Sequence, residues 1–418
     1  MTQGAGGAQA DDLRALISTH FGRDTRPLGI AVSGGSDSLA LLHLMVEWSG
    51  APLRCVTVDH RLRAESMDEA AHVAAMCAGL GLPHDTLVWD SWDGQGNLSS
   101  AARRARYALM AQWAQAHGLA GIVLGHTADD AAETLLMRLA RRAGVDGLAA
   151  MQSRRAEGAV TLHRPLLKAR RADLRRYLVA RGIPWIDDPS NTDGRYRRTQ
   201  ARRALEALAP VGVTADALAD VAEHLAEARD TLRYYAAQEA RALTHFQHGD
   251  LLLDAAPFAA LRADIARRIL SAGLSWITGA GYGARGPDLT RLLLRLNAGQ
   301  GGTLAGCRIT HEAGRIRLAR EFAAVQDCTA ELGAAWDNRW QLTGPEVAGA
   351  HVAPLGPKGR AACPDWRDAG LPAHSIEASP ALWQGAILLS APLAGYPNGW
   401  SAQPCRRPDD FHAMLLSH

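Results

Sequence analysis

The sequence predicts an α/β fold, a doubly wound parallel sheet followed by a helical region and a small, mainly β C-terminal module. Short apolar runs alternate with helical stretches over residues 28–203, which is typical of a parallel sheet covered by helices on both faces. Three of these runs lead into Ser33, Asp59 and His126. Ligands of such sheets bind at the carboxyl ends of the strands, so we expect the functional site where these three side chains meet.

Composition places the chain among ordinary globular proteins. Its 418 residues exceed one typical domain, and 47% of them are hydrophobic, which is enough to bury a normal core. No apolar run approaches the ~20 residues of a membrane span, and residues 1–11 lack the basic and apolar regions of a signal peptide. The six cysteines include no Cys-x-x-Cys pair, which argues against a disulfide framework or a zinc or iron–sulfur site. We therefore expect a cytoplasmic protein with reduced thiols and no membrane contact.

The net charge of +2 hides a basic segment. Residues 101–203 hold 20 Lys and Arg against nine Asp and Glu, and nearly all of the cations are Arg, which suits forked contacts with phosphate. Solvated helix faces also carry charge, so a basic helix surface without a binding partner is an alternative that stays open. The excess of basic residues over residues 101–203 favours a polyanionic partner, and nucleic acid fits best.

The first predicted strand, residues 28–32, is followed by a glycine turn and by an apolar helix over residues 39–48. Such a turn directs successive backbone N–H groups and a helix N-terminus at one point, which suits an oligophosphate. An ordinary strand-to-helix turn is the alternative, because Ser, Gly and Asp are common turn residues. The residues expected to bind phosphate are Ser33, Gly34, Gly35, Ser36, Asp37 and Ser38.

This turn is not the usual P-loop, because no Gly-Lys-Ser/Thr follows it. Its Ser-Gly-Gly-Ser-Asp-Ser sequence resembles the SGGxDS loop of the N-type ATP pyrophosphatases, also called the PP-loop superfamily. The resemblance implies that ATP is cut between its α- and β-phosphates, which leaves AMP on the substrate and releases pyrophosphate. It also implies that Asp37 helps to hold Mg²⁺ on the triphosphate.

The second predicted strand, residues 53–60, ends in Val58-Asp59-His60 and is followed by Arg61-Leu62-Arg63-Ala64-Glu65-Ser66. These polar groups suit a nucleotide, or else they cap the next helix through Ser66 and Glu69. The VDHxLRxES pattern after SGGxDS resembles the tRNA(Ile)-lysidine synthetases in particular. That resemblance implies that Val58, Asp59 and Arg63 contact ATP and that His60 lies near the reaction.

A helix predicted over residues 99–117 carries Arg103 and Arg106 three positions apart, hence on one face. A solvated basic face is the alternative. The family's Ala-Arg-x-x-Arg-Tyr pattern matches here, which implies that Arg103 faces the nucleotide and Arg106 the reaction centre. The intervening segments predict a helix over residues 67–80 and a third strand over residues 85–89.

The fourth predicted strand, residues 121–125, precedes His126 and a helix whose first turns hold Asp130 and Glu133. Their i, i+3 spacing lets both carboxylates face one ligand, although acids near a helix N-terminus also suit its dipole. A zinc site would need a further ligand that no spacing supplies. Similarity to the family's GHxxDDxxET motif implies that His126 contacts the nucleotide and that both acids recognise the amino groups of free L-lysine.

The end of this domain resembles the family's Asp-x-Ser-Asn…Tyr-x-Arg…Arg segment, which implies that Arg198 and Arg202 lie near tRNA or phosphate. Residues 160–162 and 185–186 predict further short strands, with a helix over residues 171–181 between them. Two positions depart from the family: Arg142 replaces a usual Gly, which puts the local backbone geometry in question, and Thr199 replaces a common Asn.

The rest of the chain gives weaker signals. Residues 1–10 have a composition that predicts disorder, and residues 303–320 read as a β-hairpin. Helices are predicted over residues 214–246, 255–277 and 288–297, and residues beyond about 320 match no family pattern. The expected domains are a PP-loop ATP pyrophosphatase catalytic domain, a helical tRNA-contacting domain and a β-hairpin with a small C-terminal module, over residues 1–210, 211–300 and 301–418 respectively.

The resemblance implies a two-step ligation that uses ATP and Mg²⁺. The wobble cytidine of a tRNA(Ile) with a CAU anticodon is adenylated at its C2 oxygen, and the ε-amine of L-lysine then displaces AMP to form lysidine. Either His60 or Asp130 takes the proton of the amine. A tRNA thiolase, an amidotransferase-type synthetase and a non-catalytic RNA- or nucleotide-binding protein are the rivals, but the chain lacks paired cysteines and a glutaminase domain. A homodimer is compatible with the sequence.

Overall fold

The structure is a computed structural model that describes residues 3–61, 65–90, 92, 94, 98–187, 194, 197–279, 284 and 286–417. The chain divides into two compact units, residues 1–228 and 229–418. The three domains expected from the sequence stay a prediction. None of the helices within the described residues is long and apolar enough to cross a membrane.

The first unit is built on a six-stranded sheet with the order β3-β2-β1-β4-β6-β5. Its strands are β1 (Leu28–Ala31), β2 (Leu53–Asp59), β3 (His84–Val88), β4 (Gly121–Val123), β5 (Arg154–Glu157) and β6 (Val160–His163). Every neighbouring pair is parallel except β5 and β6, which form an antiparallel edge. The predicted parallel sheet is confirmed, and β5 was not predicted.

Helices cover both faces of this sheet. The described helices of the first unit are α1 (Gln3–Phe21), α2 (Ser36–Trp48), α3 (Ser66–Gly79), α4 (Leu98–Ala116), α5 (Ala128–Leu139), α6 (Val145–Leu148), α7 (Arg171–Val179) and α8 (Arg197–Leu208). They are followed by α9 (Ala215–Leu243), within which the division between the units falls. Adjacent residues of β2 enter different cores: Cys55 packs with residues of α1, α2 and α7, whereas Val56 packs with residues of α4. This alternation follows the period of two of a strand and explains why the strands read as continuous apolar runs.

Two predictions about the first unit were wrong. Disorder was expected over residues 1–10, but α1 begins at Gln3, and Leu13 and Ile17 anchor it in the core. A strand was expected over residues 185–186, but this segment is irregular, and the Ile186 N–H donates to the Gly34 carbonyl instead of to a neighbouring strand.

The departure at Arg142 has a structural counterpart. Arg142 has a φ of +56°, in the left-handed region that favours glycine, and its N–H donates to the carbonyl of Leu139 just after α5 ends. A non-glycine residue held there costs roughly 1–3 kcal/mol. The backbone therefore keeps the conformation that a glycine would favour, and Arg142 adopts it under strain.

The second unit combines an antiparallel sheet with helices. Its five-stranded sheet has the order β7-β8-β11-β10-β9, from β7 (Thr244–Gln247), β8 (Asp250–Asp254), β9 (Gly302–Leu304), β10 (Cys307–Glu312) and β11 (Arg315–Arg320). Three helices pack with it: α10 (Ala255–Ala260), α11 (Ala263–Thr278) and α12 (Gly286–Asn297). The predicted hairpin is confirmed as β10 and β11. Strand β7 overlaps the end of the helix predicted over residues 214–246, and β8 lies between two predicted helices, where no strand was predicted.

The remainder of the second unit is rich in short strands. These are β12 (Trp340–Thr343), β13 (Ala350–Pro354), β14 (Pro380–Gln384), β15 (Ile387–Ser390) and β16 (Ser401–Pro404), with helices α13 (Gly356–Ala361), α14 (Ala373–Glu377) and α15 (Pro408–Ser417). Buried Asp250 accepts hydrogen bonds from Arg317 Nη1 at 2.9 Å and Ser375 Oγ at 2.6 Å. This contact fixes α14 to the five-stranded sheet.

Candidate active site

The turn after β1 has the geometry of an anion-binding loop. Gly34 has a φ of +83°, and a Cβ there would approach Ile186 Cδ1 to 3.0 Å, so glycine is favoured on both counts. The Ser38 hydroxyl accepts from the Ser33 N–H at 3.1 Å and donates to the Gly35 carbonyl at 3.0 Å, which fixes the turn. Gly35 caps α2 without a side chain, so the cap residue supplies no side-chain acceptor to the N-terminal amides of this helix. We call residues 33–38 the phosphate loop.

Asp37 lies in the first turn of α2. Its Oδ1 accepts from Ser36 Oγ at 3.1 Å, and its Oδ2 accepts from Arg171 Nε at 2.8 Å. Burial raises the pKa of the Asp37 carboxyl, although Arg171 opposes that shift. A Cβ at Gly125 would lie 2.9 Å from the Asp37 carbonyl oxygen, so this glycine lets the end of β4 approach the start of α2. The end of β4 and the turn after β1 therefore lie together, as the sequence predicted.

The end of β2 contributes Val58, Asp59 and His60. Asp59 is buried, and its Oδ1 accepts from the Arg61 N–H at 2.8 Å. His60 packs edge-on against Trp89 at 5.6 Å between ring centroids, and its buried Nδ1 has no hydrogen-bond partner within the described part of the chain. Burial lowers the pKa of His60, and the nearby Arg106 guanidinium adds to this. Arg63, which was predicted to contact ATP, lies outside the described residues.

Arg103 and Arg106 of α4 both lie over the ring of Tyr107, at 5.2 and 5.5 Å from its centroid. Burial would raise the pKa of the Tyr107 phenol, but the guanidiniums of Arg103, Arg106 and Arg164 lower it instead. Burial also lowers the pKa of both Arg106 and Arg164. We call these four residues the cationic cluster, and none of its arginines forms an ion pair with a carboxylate among the residues that the structure describes.

Arg164 joins the cationic cluster to the end of β4. It is 3% exposed, and its Nη1 donates to the Gln152 carbonyl at 2.8 Å. Its Nε donates to His126 Nδ1 at 3.3 Å. Burial lowers the pKa of His126 to about 3, with Asp130 opposing the shift, so this imidazole is neutral at pH 7.

Asp130 is held by the start of α5. Thr127 caps the helix, and Asp130 Oδ2 accepts from both the N–H and the hydroxyl of Thr127, at 2.9 and 3.0 Å. Burial alone would raise the pKa of the Asp130 carboxyl, but Arg198, Arg171 and His126 together lower it. The carboxylate is therefore oriented by its own helix and kept ionised by its neighbours.

Arg171, the first residue of α7, joins Asp130 and Glu133 to the phosphate-loop carboxylate. Its guanidinium contacts Asp37 Oδ2 at 2.8 Å, Asp130 Oδ1 at 3.0 Å and Glu133 Oε1 at 3.2 Å. We call these three carboxylates the acidic cluster. The acids predicted for the substrate amine do lie together, and they lie beside the metal ligand predicted at Asp37.

Two residues of α8 complete the pairing. Arg198 contacts Glu133 Oε2 at 2.7 Å and Asp130 Oδ1 at 3.0 Å, and Arg202 contacts Glu133 Oε1 at 2.6 Å. The Glu133 side chain is only 1% exposed, so these are desolvated, charge-assisted contacts. Arg198 and Arg202 were predicted near tRNA or phosphate, and in this structure they bind the acidic cluster.

Sequence reasoning missed three arginines of the site. Arg164 was assigned no role from the sequence, and Arg171 was predicted only as the first residue of a helix. Arg175, one turn after Arg171, donates to Ser36 Oγ of the phosphate loop at 3.4 Å and pairs with Asp187. The local basic excess was the one available signal, but it did not single out these positions.

The donor set limits the kinds of metal that fit. No group of three or more His, Cys, Asp or Glu side chains within the described residues is arranged to hold a metal ion. A single carboxylate beside a phosphate loop suits Mg²⁺, which is commonly bound through one or two carboxylates, substrate phosphates and water. Asp37 fits that pattern.

Comparison with known proteins identifies the family. Residues 9–208 match the family of PP-loop domains. The chain is 49% identical to the tRNA(Ile)-lysidine synthase of Ruegeria pomeroyi over 417 residues, which cover 99% of each chain. It is 37% identical to that of Brucella suis over 88% of this chain and 87% of the relative, and 32% identical to that of Wolbachia pipientis over 78% and 80%. The chain therefore belongs to the tRNA(Ile)-lysidine synthase family, and it carries a PP-loop domain over residues 9–208.

Proposed function

We propose that the protein ligates L-lysine to C2 of the wobble cytidine of a tRNA(Ile) with a CAU anticodon, converting ATP to AMP and pyrophosphate. The observation that carries this proposal is the meeting, at one edge of the sheet, of the phosphate loop with the acidic cluster of Asp37, Asp130 and Glu133. The phosphate loop suits a triphosphate, and the acidic cluster suits an amine. Family membership over nearly the whole chain supports the same reaction.

In the first step, the C2 oxygen of cytidine attacks the α-phosphorus of ATP, and the bond between the α-phosphorus and the bridging oxygen breaks to release pyrophosphate. The phosphate loop holds the leaving pyrophosphate through its amides and the hydroxyls of Ser33 and Ser38. Asp37 would hold Mg²⁺ on the triphosphate, and the ion would supply charge neutralisation there.

Arg106 and Arg164 are placed to offset the charge that develops on the phosphate. Arg164 is buried and Arg106 is half-buried, and neither has a carboxylate partner among the described residues, so both guanidiniums attract an anion with limited screening by solvent. Arg103, which also lies over the Tyr107 ring, is exposed and extends the positive surface. The cationic cluster therefore fits the α-phosphate and the adjoining backbone phosphates of the RNA.

In the second step, the ε-amine of lysine attacks C2, the bond between C2 and the adenylated oxygen breaks, and AMP leaves. Asp130 and Glu133 would hold the amino groups of lysine by opposite charge. Both oxygens of Asp130 already accept hydrogen bonds, from Thr127, Arg171 and Arg198. We therefore assign proton acceptance to His60, a neutral imidazole whose Nδ1 has no partner within the described residues.

Incorporation of labelled lysine tests the proposal. Purified protein with ATP, Mg²⁺, labelled L-lysine and a tRNA(Ile) transcript bearing CAU should form tRNA-bound lysine with equal amounts of AMP. The matched control is the same transcript with a GAU anticodon, which lacks the wobble cytidine and should take up no lysine. Absence of incorporation into the CAU transcript would refute the proposal.

A further inference from the structure

The acidic cluster is electrically balanced in this structure. Its three carboxylates are paired with three guanidiniums, those of Arg171, Arg198 and Arg202, at 2.6–3.2 Å. If these acids recognise the lysine amine, as the proposed function requires, the incoming ammonium finds no carboxylate with uncompensated charge. Because a buried acid stays paired at the lowest free energy, the ammonium has to replace a guanidinium.

Arg171 differs from the other two arginines in what it joins. Among the described residues, it is the one cation that contacts Asp37 as well as Asp130 and Glu133. Its guanidinium therefore joins the carboxylate that serves the triphosphate to the carboxylates that serve the amine. Within the acidic cluster, the ion pairs of Arg198 are with Asp130 and Glu133 and that of Arg202 is with Glu133, which are the carboxylates of the amine side.

The Arg171 side chain can leave while its backbone stays fixed. Its N–H donates to Asp129 Oδ2 at 2.7 Å, and the neighbouring Arg170 pairs with both Asp129 and Asp216. The Arg171 side chain is 19% exposed, so one side of it reaches solvent. Release of the guanidinium requires rotation of one side chain and no unfolding of α7.

We propose that Arg171 is a positioning residue that keeps the acidic cluster paired until the substrate amine replaces it, and that it thereby couples the nucleotide and the amine. If Asp37 holds a cation together with the triphosphate, Arg171 would lose the shortest of its three contacts, that with Asp37 Oδ2. The guanidinium is then held by Asp130 and Glu133 alone, and the amine displaces it more readily. By linkage, nucleotide tightens lysine binding and lysine tightens nucleotide binding by the same factor.

Equilibrium binding of labelled L-lysine, measured by dialysis, tests this proposal independently of turnover. We expect a methylene-bridged, non-hydrolysable ATP analogue with Mg²⁺ to tighten lysine binding to the unaltered protein about tenfold. Arg171→Met leaves two guanidiniums for three carboxylates, so lysine should bind this variant about tenfold more tightly without nucleotide and lose the response to nucleotide. Arg170→Met is the matched control and should keep both the affinity and the response.

The direction of the effect separates this role from others. Weaker lysine binding to Arg171→Met, or a response to nucleotide that survives the substitution, would overturn the inference. If Arg171→Met fails to fold, Arg171→Lys replaces it in the experiment, because one ammonium cannot span three carboxylates. If nucleotide tightens lysine binding to Arg171→Lys as much as to the unaltered protein, the inference is also overturned. If the unaltered protein incorporates lysine but the binding experiment contradicts the role of Arg171, the proposed function stands and the inference about Arg171 does not. If the unaltered protein incorporates no lysine, both the proposed function and the inference are refuted.

Discussion

Replacing Glu133 with glutamine removes the charge of the least exposed carboxylate in the acidic cluster while keeping its shape. Glu133 is 1% exposed and accepts from Arg171, Arg198 and Arg202 at 3.2, 2.7 and 2.6 Å. Breaking a buried ion pair costs about 3–5 kcal/mol, because the partner charge stays buried. Arg171 and Arg198 keep their contacts with Asp130, so we expect the free energy of unfolding to fall by about 3 kcal/mol, at the lower end of that range.

The same substitution weakens the proposed lysine site. A hydrogen bond to a charged group contributes roughly 1.5–3 kcal/mol, which corresponds to an increase of about 10- to 150-fold in the KM for lysine. Urea unfolding at pH 7.5 measures the first effect, and initial rates of lysine incorporation at varied lysine concentration measure the second. The KM for ATP should change little, because Glu133 lies on the amine side of the cluster.

Asp129→Asn is the control for Glu133→Gln. Asp129 lies on the same helix and also pairs with an arginine, Arg170, but it is outside the acidic cluster. This variant should lose some stability and keep the KM for lysine. An unchanged lysine KM in Glu133→Gln, or an equal rise in both variants, would refute the assignment of Glu133 to the amine.

Three further changes test other parts of the site. Asp37→Asn should abolish AMP formation while the protein stays folded, measured by AMP release and circular dichroism; unaltered turnover would exclude Asp37 from the reaction. Arg164→Gln should lower kcat at least tenfold, because it removes a buried cation without a carboxylate partner among the described residues, whereas exposed Arg155→Gln should not. Burial lowers the pKa of His163 to about 4 from an ordinary value near 6.5, so the unfolded chain binds the extra proton first as pH falls. Urea titrations should therefore show stability falling by about 2 kcal/mol between pH 6.5 and pH 5, and less in His163→Asn.

The catalytic fold could be predicted because its signals are local. Strand residues such as Cys55 and Val56 alternate between two apolar cores, so each strand reads as an apolar run bounded by polar turns. The polar residues that follow these runs share one sheet edge by topology alone. Ser33, Asp59 and His126 were placed on that reasoning, and the parallel sheet that it requires is present.

Contacts that depend on tertiary orientation could not be predicted. Arg170 and Arg171 are adjacent and chemically identical, yet one pairs with Asp129 and Asp216 and the other enters the acidic cluster. Which of the two faces the site depends on how α7 packs, and no spacing in the sequence encodes that. Strand β7 was missed for a similar reason, because it follows α9 without a break.

The charges of the site imply an order of binding. Arg106 and Arg164 carry positive charge that no described carboxylate pairs with, whereas Asp130 and Glu133 are already paired. An anion such as ATP or RNA therefore meets guanidiniums without a described carboxylate partner, whereas an ammonium has to displace a guanidinium from its carboxylate. The polyanions should accordingly bind before the amine, which is the order that adenylation followed by lysine transfer requires. The same pairing that delays lysine also holds the Asp130 and Glu133 side chains in place until the adenylated base is ready for attack.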